Sequence, residues 1–187
     1  MGRWEPDARG RLERAALELY AEHAYEQTTV AEIAERAGVS ERTFYRHFAD
    51  KREVLFGGDA VGRGIADALD AVPTSVAPLD AVADALASTA DFFDERRPFT
   101  QKRQAVIDAN PALRERELIK LASLTERIGQ TLRRRGVEEP AAALTAEAGV
   151  AVFKVAFAQW LADPANRSFA VHVRETLTEL RSVTGGS

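Results

Sequence analysis

The sequence predicts an all-α protein of about nine helices, a small N-terminal three-helix domain followed by a larger helical bundle. Three observations lead there. Apolar residues recur at helical spacing through most of the 187 residues. The period-two alternation of strands is nearly absent. Helix starts and stops are marked by capping side chains, prolines and glycines.

Asp7 suits the cap of a helix whose buried face is Leu12, Ala15, Ala16, Leu19 and Tyr20. Thr29 opens the second, with Glu32 three residues on in capping-box spacing, and Gly38 stops it as a left-handed residue. Ser40 caps a short third helix, and Phe44 and Phe48, four apart, give it one buried face. Asp50 is expected to cap a longer helix from Lys51 to about Ala71, ended by Pro73 and Pro78. Asp80 begins another, carrying Val82, Leu86, Phe92 and Phe93 to Arg97, and Pro98 breaks the chain before Phe99–Ala109. Asn110-Pro111 opens a helix that runs to Arg135 and stops at Gly136. Pro140 opens a run to Ala162, and a last helix covers Ser168 to Val183. No linker separates the parts, so the expected domains are 1–52 and 53–187, divided inside continuous helix.

Composition narrows the classes. The chain is 45% hydrophobic and 29% charged, which suits a globular protein with a real core. It has no cysteine, which excludes disulfides and thiolate metal sites. The three histidines, His23, His47 and His172, stand in no metal-ligand spacing, so neither metal nor other cofactor is expected. No phosphate loop or nucleophile elbow appears, and an enzyme is not expected. The N-terminus lacks a signal-like apolar stretch, and the longest apolar run, Val150 to Leu161, is too short to cross a bilayer comfortably. A cytoplasmic protein with no membrane partner is the expectation.

Net charge is −4, so contact with nucleic acid has to come from a local patch. Between Arg36 and Arg52 the cations are Arg36, Arg42, Arg46, Lys51 and Arg52, against Glu41 and Asp50. Two short helices joined by Gly38-Val39-Ser40 match the helix-turn-helix pattern, whose second helix enters the major groove. With Phe44 and Phe48 turned inward, Arg42, Thr43, Tyr45, Arg46 and His47 lie on the other faces. Arginine can bond a guanine edge twice and threonine can touch a thymine methyl. Tyr45, His47, Lys51 and the amide and hydroxyl of Thr29 suit phosphates. The alternative is an ordinary solvated helix face. Gly2-Arg3-Trp4 is either a minor-groove arm or a loose terminus.

The stretch "TTVAEIAERAGVSERTFYRHFADKREVL", Thr28 to Leu55, resembles the DNA-binding domain of the TetR (tetracycline repressor) family of bacterial regulators. The resemblance covers about the first third of the chain. It implies that Arg42, Thr43 and Arg46 face bases while Thr29, Tyr45, His47 and Lys51 hold phosphates. It also implies a homodimer on a double-stranded DNA operator, with a C-terminal domain that binds a small effector. The expected function is a homodimeric repressor released by a small, largely apolar effector. The alternative is a helical interaction or ligand-binding protein with the same fold that has lost DNA binding.

The C-terminal residues offer material for both remaining tasks. The run before the last helix is apolar nearly all round and needs cover on two sides. A dimer surface is expected from Val152, Val155, Phe169, Val173, Leu177 and Leu180. Phe92, Phe93, Phe99, Leu121, Phe153, Phe157 and Trp160 either line an effector pocket or fill the core. Gln159, Gln104 and Arg103 are its polar candidates. Gly57, Gly58, Gly62 and Gly64 mark the helix after Lys51 either as a bendable transmission rod or as a place of close helix packing.

Overall fold

A computed structural model describes residues 7–57 and 59–185, and these are helical throughout, with no strand among them. The elements are α1 (Ala8–His23), α2 (Val30–Arg36), α3 (Glu41–His47), a 3-10 turn (Glu53–Leu55), α4 (Ala60–Ala71), α5 (Pro78–Ala87), α6 (Ala90–Glu95), α7 (Arg97–Ala109), α8 (Pro111–Arg134), α9 (Ala141–Ala162) and α10 (Phe169–Thr184). The Gly2-Arg3-Trp4 arm lies outside the described residues.

Contacts divide the chain into two compact units. One is the chain up to Asp59 together with Gln101–Glu117; the other is Ala60–Thr100 with everything from Leu118 onward. The division therefore departs from the one at residues 52 and 53. The 3-10 turn stays with the first unit because Val54 and Leu55 are buried there, and the α7–α8 corner joins it as well.

In the first unit, Leu12, Ala16, Leu19 and Tyr20 of α1 are buried along with Ile33 and Ala34 of α2 and Phe44 and Phe48 around α3. Thr29 closes the capping box on Glu32, donating its amide to the carboxylate at 2.7 Å while its hydroxyl accepts from the Glu32 amide at 3.2 Å. Gly38 has φ +66°, and the bonds Val39 N–Ala34 O (2.9 Å) and Gly38 N–Glu35 O (3.0 Å) complete a Schellman stop. Arg11 donates to the Ala37 carbonyl at 3.0 Å, holding the end of α2 against α1.

The helix expected from Lys51 to Ala71 is interrupted. Asp50 Oδ1 accepts the amides of Arg52 and Glu53 at 2.8 and 3.1 Å, which fixes a turn instead of a long helix. Gly57 sits at φ +61°, a conformation that ends helical backbone, and α4 begins only at Ala60. A rod reaching from Lys51 is thereby excluded. Gly58 falls outside the described residues. The expected Asp80–Arg97 helix also divides, since the Ser88 and Thr89 hydroxyls bond the Ala85 and Leu86 carbonyls at 2.7 and 2.6 Å and compete with helix continuation.

The second unit is built on α9, which packs against α5 and α10. Its core holds Ile65, Leu69, Val82, Leu86, Phe93, Ile128, Leu132, Val150, Trp160 and Phe169. Arg135 fastens the end of α4, reaching the carbonyls of Leu69 (2.7 Å), Val72 (2.5 Å) and Pro73 (3.2 Å). Arg181 ties α10 to Asp80 of α5 through two bonds of 2.7 and 2.8 Å. At 22 residues α9 is long and apolar enough to cross a membrane by composition, contrary to the expectation of a shorter run. Part of that apolarity serves this core.

Asp163 caps the end of α9. It accepts the amides of Ala165 and Arg167 at 3.0 and 3.2 Å, the Arg167 side chain at 2.9 Å, and lies 3.0 Å from His172 Nε2. These bonds, the Ala165 amide foremost, hold its carboxyl well below the usual carboxylate range. A depressed folded pKa stabilises the protein above the ordinary value of 3.8 and loses that contribution as pH falls through the lower folded value. Asp163→Asn is therefore expected to lower the melting temperature at neutral pH, and the gap from the parent should close on acidification below about pH 4.

Glycine matters most where α5 meets α9. A Cβ added at Gly149 would stand 2.5 Å from Val82 Cγ1, whereas one at Gly64 of α4 meets nothing within 4 Å. Close packing against bare backbone thus occurs at Gly149, and Gly64 is open. Gly149→Ala is expected to cost about 1–3 kcal/mol by overpacking. Gly64→Ala is expected to add about 0.5–1 kcal/mol, the usual helix-interior gain over glycine. Thermal melts of the two variants against the parent check both signs.

Candidate functional site

The third helix has seven residues, too few to be stable alone, so its orientation comes from its anchors. Phe44 is fully buried and Phe48 nearly so, with ring centroids 5.6 Å apart. Ser40 accepts the Thr43 amide at 3.2 Å and its hydroxyl lies 3.1 Å from that of Thr43. This pins the start of α3 and leaves Arg42, Tyr45 and Arg46 exposed and Thr43 half-buried. Arg42, Thr43 and Arg46 line one open hollow of about 320 Å³. The three residues expected to face bases are thus brought together.

The remaining cations of the stretch are committed. Arg36 makes a two-bonded pair with Glu22 at 3.0 and 2.9 Å. Arg52 pairs with Asp50 at 2.9 Å. Lys51 Nζ donates to the carbonyls of Tyr25 (2.9 Å), Glu26 (3.3 Å) and Thr28 (3.0 Å) and lies 4.4 Å from the Tyr25 ring centroid. An ammonium has three protons, so the phosphate role expected of Lys51 finds no donor left. Lys51 instead closes the α1–α2 loop, and Tyr20 reinforces it by donating to the Lys51 carbonyl at 2.6 Å. Arg42 and Arg46 form no ion pair with any described residue.

Thr29 and His47 also differ from expectation. Both the amide and the hydroxyl of Thr29 bond Glu32, the hydroxyl donating to its carboxylate at 2.8 Å, so neither is free for phosphate. The Thr29 amide and then its hydroxyl lower the Glu32 pKa and keep a negative charge at that helix start. His47 is half-buried beside Phe48, and its Nε2 is shielded, with no partner among the described residues. Burial first, then Arg46 and Arg9, push its pKa down, which favours the neutral ring. Tyr45 is 57% exposed and edge-on to Phe44.

In the second unit, Phe93, Phe153, Phe157, Trp160 and Phe169 form one cluster of rings, Phe93 lying 5.5 Å from Phe157 and 5.0 Å from Phe169. Trp160 is fully buried. Its indole donates to Asp94 at 2.8 Å, Arg97 lies 4.3 Å from its ring, and Arg97 Nη1 donates to its carbonyl at 2.7 Å. Trp160 and Phe93 are therefore committed to the core cluster. Phe153 and Phe157, stacked at 5.6 Å, are half-buried, as are Phe99 and Leu121, and Phe92 is exposed. Gln159 accepts from Thr176 at 3.3 Å, while Arg103 and Gln104 belong to the first unit. The Asp94–Arg97 brace escaped sequence reasoning; its one signal was opposite charges three apart beside a tryptophan-bearing helix.

The dimer residues need the same correction. Val152, Phe169, Val173 and Leu177 are buried in their own core, and Leu180 packs on it half-buried. Val155 is 49% exposed. On α9 it joins Leu144, Ala151, Ala158 and Ala162, all exposed, and half-buried Ala148. Alternating steps of four and three make these one continuous stripe.

A helix-turn-helix with free arginines on its second helix, joined to an all-helical second unit, defines a DNA-binding regulator class. Residues 13–56 match the model for bacterial regulatory proteins of the tetR family, and residues 76–185 match the MftR C-terminal domain. The chain belongs to the tetR family, with a C-terminal domain of the MftR type. It is 45% identical over 78 residues to the HTH-type transcriptional regulator TcmR of Streptomyces glaucescens, covering 41% of this chain and 34% of that one. It is 28% identical over 121 residues to the putative mycofactocin biosynthesis transcriptional regulator MftR of Mycobacterium tuberculosis, covering 64% and 61%. The chain thus spans less than two thirds of either relative. In fold it is similar to the Bacillus subtilis regulator FadR solved with stearoyl-CoA, with a TM-score of 0.61, 18% identity and coverage of 95% and 99%.

The division between free and committed cations is testable. Arg42→Ala and Arg46→Ala are each expected to cost about 1–3 kcal/mol of binding to a preferred duplex and to relax base preference at the contacted position. Lys51→Met is expected to destabilise the first unit and leave that preference unchanged. Binding titrations on matched and mismatched duplexes, beside thermal melts, separate the two behaviours.

Proposed function

We propose that this chain is a DNA-binding transcriptional regulator, a homodimeric repressor whose hold on a double-stranded operator is released by a small, largely apolar effector. One observation carries the DNA reading: Arg42 and Arg46 stand exposed on α3 with no ion-pair partner among the described residues, while their neighbouring cations are engaged. A guanidinium kept free beside an exposed helix face is ready to form two parallel bonds with a guanine edge. Tyr45 adds an exposed hydroxyl for a flanking phosphate, and Thr43 a methyl for a thymine.

A single seven-residue helix reads few base pairs, so the protein acts as a two-fold pair on half-sites about one DNA turn apart, roughly 34–36 Å. The α9 stripe from Leu144 to Ala162 supports the pairing surface. Its small alanines allow close approach, and Leu144, 67% exposed, and Val155 supply knobs. Glu147 and Lys154, both exposed on α9, suit a protein partner better than lipid. Half-exposed Phe153, Phe157 and Leu121, with Phe92, suit an apolar effector; a relative of the same fold was solved with stearoyl-CoA. On this reading the protein works in the cytoplasm and catalyses no reaction.

The deciding measurement is selection of a duplex from a random pool by the full chain, followed by titration. A two-fold symmetric site and a salt-dependent Kd are expected; failure to enrich any duplex overturns the reading. Leu144→Glu with Val155→Glu places charge in the stripe. Sedimentation is expected to show monomer, with binding to the duplex that carries both half-sites weakened by at least about a hundredfold through loss of the tethered second contact.

A further inference from the structure

The turn after the recognition helix is fastened to the α7–α8 corner by two arginines. Arg103 of α7 donates its Nε to the Leu55 carbonyl at 2.5 Å, and its guanidinium lies 4.9 Å from the Phe56 ring centroid. Its Nη1 is 3.7 Å from Glu117 of α8. Arg116 of α8 meets the carboxylate of Glu53 in a tight ion pair. These groups are largely withdrawn from water, the Arg103 side chain being 17% exposed and that of Glu53 15%. Burial pushes the Arg103 pKa down, with Glu117 opposing. A buried guanidinium is costly unless its partners stay in place, so the arrangement is all-or-none.

The seven residues of α3 lead into this turn. Phe48 ends the helix, Asp50 caps the turn, and Val54 and Leu55 are buried behind it. On the other side both helices continue past the corner, α7 back to Arg97 and α8 on to Arg134, as parts of the second unit. We propose that Arg103 and Arg116 are the positioning residues that couple α7 and α8 to the recognition helix. The proposal rests on the reading of this chain as an effector-responsive DNA regulator. Arg103 acts through the Leu55 carbonyl and Phe56, and Arg116 through Glu53; the base-reading groups remain those of α3. Displacement of either helix along its axis carries its arginine, and the turn and α3 with it. Coupling is reciprocal, so DNA held by α3 has to be felt along α8 beyond Glu117.

The test is amide hydrogen exchange on the full chain, free and saturated with a duplex selected by the parent protein. The variants are Arg103→Ala with Arg116→Ala, and the charge exchange Glu53→Arg with Arg116→Glu. In the free state the alanine variant is expected to lose protection over residues 41–56 by at least about tenfold, the scale of one charge-assisted hydrogen bond, with 118–134 unchanged. Duplex binding is expected to alter protection over 118–134 in the parent, to leave it unaltered in the alanine variant, and to alter it again in the charge exchange. A DNA-induced change that survives in the alanine variant overturns the coupling. So does loss of duplex binding in both variants, which would make the arginines supports of the fold alone. If the parent selects no duplex, the DNA reading fails separately, and unchanged free-state protection at 53–56 in the alanine variant still overturns the latch.

Discussion

The burial of Phe44 sets the orientation of α3 and with it the rest of the site. The helix has seven residues, and a helix that short is not stable in isolation. Fully burying a phenylalanine is worth about 1.5–3 kcal/mol, comparable to the whole margin such a helix needs. With Phe44 and Phe48 committed to the interior of the first unit, the angular spacing of the helix leaves Arg42 and Arg46 no inward direction. Presentation of the arginines is therefore a consequence of core packing, and the Ser40 cap and the Gly38 turn only fix where the helix starts.

Charge is the second constraint. A chain of net charge −4 repels a polyanion at long range, so attraction has to be local. The first unit makes it local by internal pairing. Glu22 holds Arg36, Asp50 holds Arg52, and three carbonyls hold Lys51. The two carboxylates offset the charges of Arg36 and Arg52, the carbonyls use up the donors of Lys51, and all three cations become braces for the elements around α3. The cations left unpaired among the described residues, Arg42 and Arg46, are the ones the proposed function assigns to base edges. The arrangement favours discrimination over bulk affinity, since phosphate contacts raise binding to every duplex equally.

Much of this was legible in the sequence. The all-helical class, the Thr29–Glu32 box, the Gly38 stop and the inward Phe44–Phe48 pair follow from local chemistry, and local chemistry acts between residues three or four apart. Lys51 was misassigned because its partners are backbone carbonyls, groups that every sequence contains and that no residue pattern marks, whereas the Glu32 partner of Thr29 is marked by the capping-box spacing and already occupies both the amide and the hydroxyl. The break after Lys51 was missed for a related reason. Gly57 at φ +61° is a tertiary outcome, and glycine alone does not distinguish a turn from a tolerated helix position. Arg103 and Arg116 pair with residues 48 and 63 positions earlier, a separation at which spacing carries no signal.

The α9 helix shows why apolar residues could be found but not sorted. It is apolar nearly all round, so periodicity offers no face to choose. The structure chooses by placing α5 and α10 against one side, which consumes Val152, Ala156 and Trp160, and by letting Gly149 bring α5 within touching distance through Val82. The residues left over, from Leu144 to Ala162, are smaller and fall on a seam of alternating four- and three-residue steps. Large rings are therefore spent inside the unit and small side chains outside it. A surface of that kind favours a close helix partner over a solvent boundary, because alanine adds little apolar area when exposed but lets two backbones approach when covered. The same division explains why aromatic content alone pointed to a pocket. Trp160 and Phe93 are needed to close the core around the Asp94–Arg97 brace, and Phe153, Phe157 and Phe99 stay half-buried beside it.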